Sequence, residues 1–302
     1  MIARLKPLKH LILKRPSIIS GKADPNNLLT SAGSPKPKRG MAMYKKVYGL
    51  THYPFEKDLE PDKLFGSKAA DELEARLHYL LKLRGIGLVT GEVGSGKTSI
   101  CRKMAASLNT GLYRVFYVPL TTGNVTDIYK SIAWEMGLTT ERSLAALYRS
   151  IHMEVNRLCL ESKIRPVLII DEAQYLRNEV LENLRLLTNY EMDSQNRLCM
   201  IFVGQAELRR RLSLSVHEPL AQRLVVRYHI SGLAKEELLP YLKHRLELAG
   251  TQMDLFEQPA LEALFQRQTV CHAKSICWHT LIDVAALQMP SLYRLTYSYR
   301  SE

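Results

Sequence analysis

The chain reads Gly91-Glu92-Val93-Gly94-Ser95-Gly96-Lys97-Thr98-Ser99 directly after an apolar run, residues 85–90. A helix-forming segment, residues 99–108, follows at once. A strand, a glycine-rich loop and a helix in this order form the context of the phosphate-binding P-loop, G-x-x-x-x-G-K-[ST]. The stretch therefore predicts an α/β fold with a nucleotide site. The alternative is a glycine-rich turn that matches the pattern by chance.

Each residue type in this motif has a distinct role toward a nucleoside triphosphate. Glycines allow successive backbone N–H groups, from Gly91 to Ser99, to face phosphate oxygens at the N-terminus of a helix. Lys97 is predicted to reach the β- and γ-phosphates, and the Thr98 hydroxyl to bind Mg²⁺. The predicted cofactors are therefore a nucleoside triphosphate and Mg²⁺.

Length and composition narrow the class of protein. A chain of 302 residues with 46% hydrophobic residues suits one large α/β domain with a small appendage, or two modest domains. It contains no apolar run near the ~20 residues that a membrane span needs, and its basic N-terminus lacks the features of a signal peptide. Because the five cysteines are scattered and odd in number, a disulfide framework is not expected. We expect a cytosolic protein.

The net charge of +12 favours an anionic partner, most simply nucleic acid. Residues 1–42 hold nine Lys and Arg and a single acid, so most of the excess lies there. That concentration weakens the argument for the rest of the chain, whose basic surface can also be merely solvated. Residues 1–42 are rich in Lys, Pro, Ser and Gly and are expected to be a disordered basic extension ahead of a start at Met41 or Met43, with a nucleic-acid-binding arm as the alternative.

The alternation of apolar runs with helical periods predicts a mainly parallel sheet covered on both faces. We expect an ATPase-like core over residues 43–232, a helical lid over residues 233–268 and an aberrant tail over residues 269–302. The predicted strands are residues 85–90, 113–119, 166–170, 198–204 and 224–230. The predicted helices are residues 68–83, 99–108, 125–136, 144–162, 180–191, 235–249 and 258–268.

A second nucleotide signal is the run of four apolar β-formers that ends in Asp171 and Glu172. A buried strand would carry Asp171 to its carboxyl end beside the P-loop, where the carboxylate can help to hold Mg²⁺. Glu172 would then orient and deprotonate the attacking water. Two solvated acids after a core strand are the alternative, but the distance from the P-loop favours the catalytic interpretation.

Two further residues complete the predicted site. Gln205 ends another apolar strand and would contact the γ-phosphate or the water, unless it is only a turn-forming amide. Arg223 precedes the last strand, where an arginine can project into the nucleotide of a neighbouring subunit. A surface arginine is the alternative for Arg223, and a stronger one for Arg227.

These motifs, in this order, resemble an AAA+ ATPase, and more narrowly the ExeA/TnsC/TniB-like group. The resemblance covers about residues 43–268 and implies Walker A and B roles, an arginine finger at Arg223, adenine packing near Phe65 and ATP-dependent homo-oligomers. The further stretches that carry it are Tyr48-Gly-Leu, Pro54-Phe55, Leu64-Phe65, Asp171-Glu172-Ala-Gln, Leu184-Arg-Leu-Leu-Thr-Asn189, Phe202-Val-Gly-Gln-Ala-Glu-Leu208, Gln222-Arg223 and Arg227-Tyr-His229.

The group divides by client. Some members load on double-stranded DNA and regulate a transposase, whereas others energise assembly of a secretion apparatus and usually continue into a membrane span and a periplasmic domain. Since this sequence shows no such span and is basic, we expect a transposition helper. A secretion ATPase, truncated or stand-alone, and a decayed gene product are the alternatives.

The sequence departs from the group after residue 268. The resemblance implies a Gly-x-Pro-Arg-Lys-x-Asn segment there, whose arginine contacts the nucleotide from the lid, but the chain reads Thr269-Val-Cys-His-Ala-Lys-Ser-Ile-Cys-Trp278. Degenerate codons for residues 269–276, read one base out of register, can encode the implied segment. We therefore expect a frameshifted tail and impaired turnover. Zinc binding by Cys271, His272, Cys277 and His279 is a weak alternative, since their spacing matches no common finger.

Overall fold

The computed structural model describes residues 49–55, 59–119 and 124–251. The chain divides into two units, Met1–Ala42 and Met43–Glu302, and every described residue belongs to the second. The predicted basic extension, the helix over residues 258–268, the tail and the zinc alternative all lie outside the described residues.

Five parallel strands form one sheet in the order β2-β3-β4-β1-β5. Each predicted strand is confirmed to within one residue at either end. The strands are β1 (Ile86–Gly91), β2 (Tyr113–Val118), β3 (Arg165–Ile170), β4 (Cys199–Gly204) and β5 (Leu224–Ile230).

The strand register brings the carboxyl ends of the strands to one edge of the sheet. Thr90 of β1 lies opposite Gly204 of β4, and Gly91 lies opposite Ile230 of β5. The last paired residue of β3, Ile170, lies opposite Phe202. The residues that follow β1, β3 and β4 therefore meet at this edge, which is where open α/β sheets bind their ligands.

Helices cover both faces of the sheet. Alternate residues of β3 point to opposite sides, so Leu168 and Ile170 join one buried cluster while Val167 and Ile169 join the other. The first cluster includes α3, α4 and α5, and the second includes α1 and α2. The helices are α1 (Lys68–Leu83), α2 (Lys97–Ser107), α3 (Val125–Glu135), α4 (Leu144–Asn156), α5 (Asn178–Leu186), α6 (Ala206–Leu212), α7 (Glu218–Ala221) and α8 (Lys235–Leu248).

Local signals explain where several helices begin. The Ser67 side chain accepts a hydrogen bond from the backbone N–H of Ala70 and caps α1, as Asn124 does for α3 through Asp127. In α8, the Glu237 carboxylate accepts from the N–H groups of Ala234 and of Lys68, at 3.0 and 2.8 Å, and so joins the start of the lid to the start of α1.

The predicted helix over residues 180–191 is wrong at its end. α5 stops at Leu186, and beyond it Glu191, Met192 and Asp193 adopt left-handed backbone angles that a helix cannot contain. The predicted helix over residues 144–162 is α4 followed by a π-helical turn, Arg157–Glu161. The short helices α6 and α7 were not predicted. No helix in the described part of the chain is long and apolar enough to cross a bilayer.

Candidate nucleotide-binding site

The loop between β1 and α2 has the backbone of a phosphate cradle. Gly96 caps α2 with a φ of +90°, and Gly94 has a φ of +82°, angles that L side chains rarely adopt. Gly91 is enclosed: a Cβ there would lie 2.6 Å from the carbonyl oxygen of Ile230 and 2.7 Å from Ser95 Oγ. The loop therefore forms a turn that opens onto the N-terminus of an 11-residue helix, the geometry that the predicted cradle requires.

Lys97, the first residue of α2, folds back over this loop. Its Nζ donates to the carbonyl oxygens of Gly91 and Glu92 at 3.0 and 2.7 Å. The residue is 8% exposed, and this burial lowers the pKa of its ammonium, against the opposing pull of Glu172 and Asp171. A buried cation whose hydrogen bonds go to neutral carbonyls is well prepared to receive an anion.

Asp171 connects the P-loop helix to the end of β3. One of its carboxylate oxygens, Oδ2, accepts from Thr98 Oγ1 at 2.7 Å and from Tyr117 Oη at 2.9 Å. The other accepts from the N–H of Glu172 at 2.8 Å. Burial and the bond to Asp171 raise the pKa of Tyr117, so its phenol stays a proton donor. Thr98 and Asp171 thus place a hydroxyl and a carboxylate together, the oxygen ligands that Mg²⁺ prefers.

Glu172 and Gln205 are joined by Gln174, a residue for which no role was predicted from the sequence. Gln174 is 7% exposed, and its Nε2 donates to Glu172 Oε2 at 2.5 Å while its Oε1 accepts from the N–H of Gln205 at 3.1 Å. Glu172 itself has a φ of +53°, a strained angle for a non-glycine residue, of the kind that clusters at functional sites. The carboxylate of Glu172 and the backbone N–H of Gln205 are therefore bridged by one buried amide.

An arginine on α6 holds the turn that carries Gln174 in place. Arg211 donates from one terminal nitrogen to the carbonyl of Gln174 at 2.8 Å and from the other to the carbonyl of Leu176. These bonds tie α6 to the turn that follows Glu172. The sequence signal for Arg211 was weak, because it lies in a row of three arginines on a helix that periodicity did not reveal.

Phe65 lies at the other side of the P-loop, against the lid. Its ring contacts the rings of Tyr241 and His244 of α8, with centroids 5.6 and 5.7 Å apart. A cavity of about 610 Å³ opens here between residues 65–71 and residues 231–240, which follow β5. Because Ile230 pairs with Gly91, this cavity lies next to the phosphate cradle. Its position and the aromatic ring fit the predicted packing of an adenine near Phe65.

Arg223 lies at the opposite edge of the sheet. It precedes β5, whose seven residues span about 20 Å at ~3.3 Å per residue. Its guanidinium contacts Thr188, Asn189 and Asp193 of its own chain. Arg227 is exposed and donates to the carbonyl of Ala221. Arg223 is therefore not assembled with the P-loop, Asp171 and Glu172 of the same subunit.

Known proteins are similar to this chain in sequence or in fold. The sequence pattern of an AAA domain matches residues 80–212. This stretch is an AAA+ ATPase domain. The predicted three-layer P-loop fold is confirmed, whereas ATP hydrolysis and the finer prediction of a transposition helper stay predictions.

One relative is 35% identical over 227 residues: general secretion pathway protein A of Aeromonas hydrophila. The match covers 74% of this chain and 41% of the relative, so this chain spans about two fifths of that protein's length. The sequence match to general secretion pathway protein A, a protein of the ExeA type, thus extends over most of this chain.

Among solved structures, two examples show the same fold. Cdc6p from Pyrobaculum aerophilum has a TM-score of 0.54 at 20% identity, over 69% of this chain and 56% of that one. ORC1 of Aeropyrum pernix, solved in complex with DNA, has a TM-score of 0.51 at 16% identity, over the same shares of the two chains. At such identities the likeness concerns the fold alone.

Proposed function

We propose that this AAA+ domain binds Mg²⁺-ATP between the P-loop and the end of β3 and hydrolyses it within homo-oligomers. The observation that supports this most directly is the meeting of Lys97, Thr98, Asp171 and Glu172 at one edge of the sheet. Phosphoryl transfer requires little beyond a cradle, a metal, a carboxylate that positions water and a cation for the developing charge. The first three requirements can be met within one subunit.

The residues would act as follows. Lys97 would exchange its bonds to the carbonyls of Gly91 and Glu92 for bonds to phosphate oxygens. Thr98 and Asp171 would hold Mg²⁺, which supplies neutralisation of charge on the phosphates when bound. Glu172, oriented by Gln174, would accept the proton of the attacking water, and Gln205 would contact the γ-phosphate from the end of β4.

The missing cation would come from a neighbouring subunit. Arg223 lies at the far edge of the sheet from its own P-loop, so a second copy that docks this edge against the nucleotide would supply the guanidinium in trans. An arginine finger contributes about 10³–10⁵-fold to the rate in comparable ATPases and GTPases. Hydrolysis would therefore depend on protein concentration as well as on ATP.

Mixing two inactive variants tests this arrangement. Glu172→Gln removes the base but keeps the arginine, and Arg223→Ala removes the arginine but keeps the base. Each is expected to lose at least ~10²-fold in kcat alone, and an equimolar mixture should recover activity where the intact halves meet. Lys97→Ala serves as the control that binds no nucleotide. A mixture as inactive as its components, with both variants folded and oligomeric, would refute the shared site.

Double-stranded DNA, together with a transposase, is the first candidate client of such an oligomer. It is supported by the net charge of +12, although residues 1–42 carry +8 of it. The test is ATP-stimulated binding to duplex DNA, measured by anisotropy between about 50 and 200 mM salt, over which phosphate contacts weaken steeply. Absence of binding at the lowest salt with ATP present would exclude this client.

A secretion apparatus is the second candidate client. It is supported by the 35% identity with general secretion pathway protein A of Aeromonas hydrophila. The genes beside this one distinguish the two candidates, since an adjacent transposase gene favours the first and adjacent secretion genes favour the second. The two clients share the same ATPase step, so the mixing experiment is independent of the choice.

A further inference from the structure

The hydrogen bonds of the Arg223 guanidinium go to side chains of the turn that follows α5. One terminal nitrogen of the guanidinium donates to Thr188 Oγ1 at 3.2 Å and to Asn189 Oδ1, and the other donates to Asp193 Oδ2 at 2.5 Å. We call residues 188–193 the arginine-holding turn. The arginine side chain is 24% exposed and the Asp193 side chain 53% exposed, so this ion pair lies at the surface.

The backbone of this turn is strained. Glu191, Met192 and Asp193 have φ angles of +48°, +54° and +69°, although none of them is glycine. Left-handed residues of this kind persist only where the surroundings hold them. Two arginines do so here: Arg223 pairs with Asp193, and Arg197 pairs with Glu191 at 2.7 Å. Releasing either pair removes part of what keeps the turn in this shape.

The pairing conflicts with the role of a catalytic cation. A guanidinium stabilises charge on a phosphoryl group by pointing its donors at the phosphate oxygens. Here Arg223 already points them at a carboxylate and two neutral oxygens of its own chain, and the carboxylate neutralises its charge. Two anions, Asp193 and an incoming phosphate, would therefore compete for one arginine.

We propose that Asp193 is a resident anion that the triphosphate of a neighbouring subunit displaces from Arg223. The inference rests on the shared site proposed above and adds its regulation. In a lone subunit the Asp193 pair holds Arg223 back. In an assembly with ATP, Arg223 turns to the phosphate, and the arginine-holding turn loses one of its two ionic supports and relaxes. Met192, which is fully exposed at the tip of the turn, moves with it.

Removing the charge of Asp193 tests the competition. Asp193→Asn keeps the shape of the side chain, and we expect it to lower the protein concentration for half-maximal ATPase activity by roughly 3- to 5-fold, the upper part of the range for one exposed charge pair. Asp193→Glu, which keeps the charge, should leave that concentration within about twofold. Glu191→Gln is the matched control, because it breaks the other ion pair of the same turn without touching Arg223.

A chemical measurement checks the same idea without assembly or activity. Phenylglyoxal modifies accessible arginines, and mass spectrometry can follow its reaction at Arg223 in the nucleotide-free, dilute protein. Asp193→Asn should accelerate this reaction about threefold or more, whereas Glu191→Gln should not. Thermal unfolding would verify that each variant is folded before either assay.

The outcomes separate the two proposals. If Arg223→Ala retains full ATPase activity, the shared site itself is wrong. If Arg223→Ala is inactive and Asp193→Asn needs the same or a higher protein concentration than the wild type, the shared site stands and the displacement is refuted. In that case Asp193 only positions the arginine. An unchanged rate of modification at Arg223 in Asp193→Asn would equally refute a holding role.

Discussion

Replacing Gly91 by alanine tests the close packing beneath the phosphate cradle. A Cβ at this position would lie 2.5 Å from Ile230 Cγ2, 2.6 Å from the Ile230 carbonyl oxygen and 2.7 Å from Ser95 Oγ. Ile230 is 2% exposed, so its side chain has no open space to enter. The carbonyl oxygen is backbone and can give way only if β5 shifts against β1. The Ser95 hydroxyl can rotate away, but the two Ile230 contacts must be relieved by moving the strand.

The magnitude follows from these overlaps. Overpacking of a filled site costs about 1–3 kcal/mol, and with backbone among the obstructing atoms we expect the upper end for Gly91→Ala. For a domain of this size, each kcal/mol lowers Tm by about 2–4 °C, which gives a decrease of roughly 6–12 °C. The assay is thermal unfolding followed by circular dichroism, with urea unfolding as a second measure.

Gly94→Ala is the matched control from the same loop. A Cβ there has no atom within 4 Å, but the residue has a φ of +82°. The expected loss is therefore the left-handed strain alone, roughly 1–2 kcal/mol. If Gly91→Ala unfolds at the same temperature as Gly94→Ala or above it, the packing argument is wrong, and the role of Gly91 lies elsewhere.

Three further predictions concern the groups around the phosphates. Burial lowers the pKa of Lys97, and only its protonated form attracts phosphate. ATP affinity should therefore be highest near neutral pH and should fall as the pH rises, beginning at a lower pH than for an ordinary lysine of pKa ~10.4. Titration with a fluorescent nucleotide from about pH 7 to 10 measures this affinity, and Lys97→Arg should flatten its dependence on pH. Gln174→Leu should lower kcat at least ~10-fold with little change in ATP affinity. The substitution removes the hydrogen bond that Gln174 donates to Glu172 and leaves the N–H of Gln205 without this acceptor. An equal loss of ATP affinity would contradict a role confined to the water-activating carboxylate. Tyr117→Phe should reduce the free energy of unfolding, measured by urea denaturation, by about 1 kcal/mol, because the buried Asp171 carboxylate loses one of its hydrogen-bond donors. An unchanged stability would show that water replaces this hydrogen bond.

The sheet was predictable because it rests on short-range patterns. Each strand is an apolar run bounded by turn or polar residues, and parallel strands buried on both faces have that signature. The P-loop and the pair Asp171-Glu172 follow such runs directly, so the edge at which they meet could be predicted from the sequence. The hydrogen bond from Thr98 to Asp171 was not itself predicted, but the two residues were assigned to the same metal ion.

What the sequence did not reveal depends on tertiary contacts. The turn that follows α5 is held by ion pairs from Arg197 and Arg223, and Arg223 lies 30 residues from Asp193, the left-handed residue with which it pairs. Gln174 and Tyr117 acquire their importance only because β2, β3 and β4 are neighbours in the sheet. Strand order is not encoded in periodicity, so no pattern within one segment could have identified these two side chains.

Strand order also sets a width. β4 lies between β1 and β3, so the chain segments that carry Lys97 and Glu172 are separated by two strand intervals, about 10 Å at ~4.8 Å each. Gly204, at the end of this intervening strand, has no room for a side chain: a Cβ would lie 2.9 Å from Gln174 Oε1 and from Leu208 Cδ2. β4 therefore sets the distance between the segment that carries Lys97 and the segment that carries Glu172, and Gly204 leaves the space beside it to Gln174. A larger residue at position 204 would displace Gln174 and change this spacing without replacing any catalytic residue.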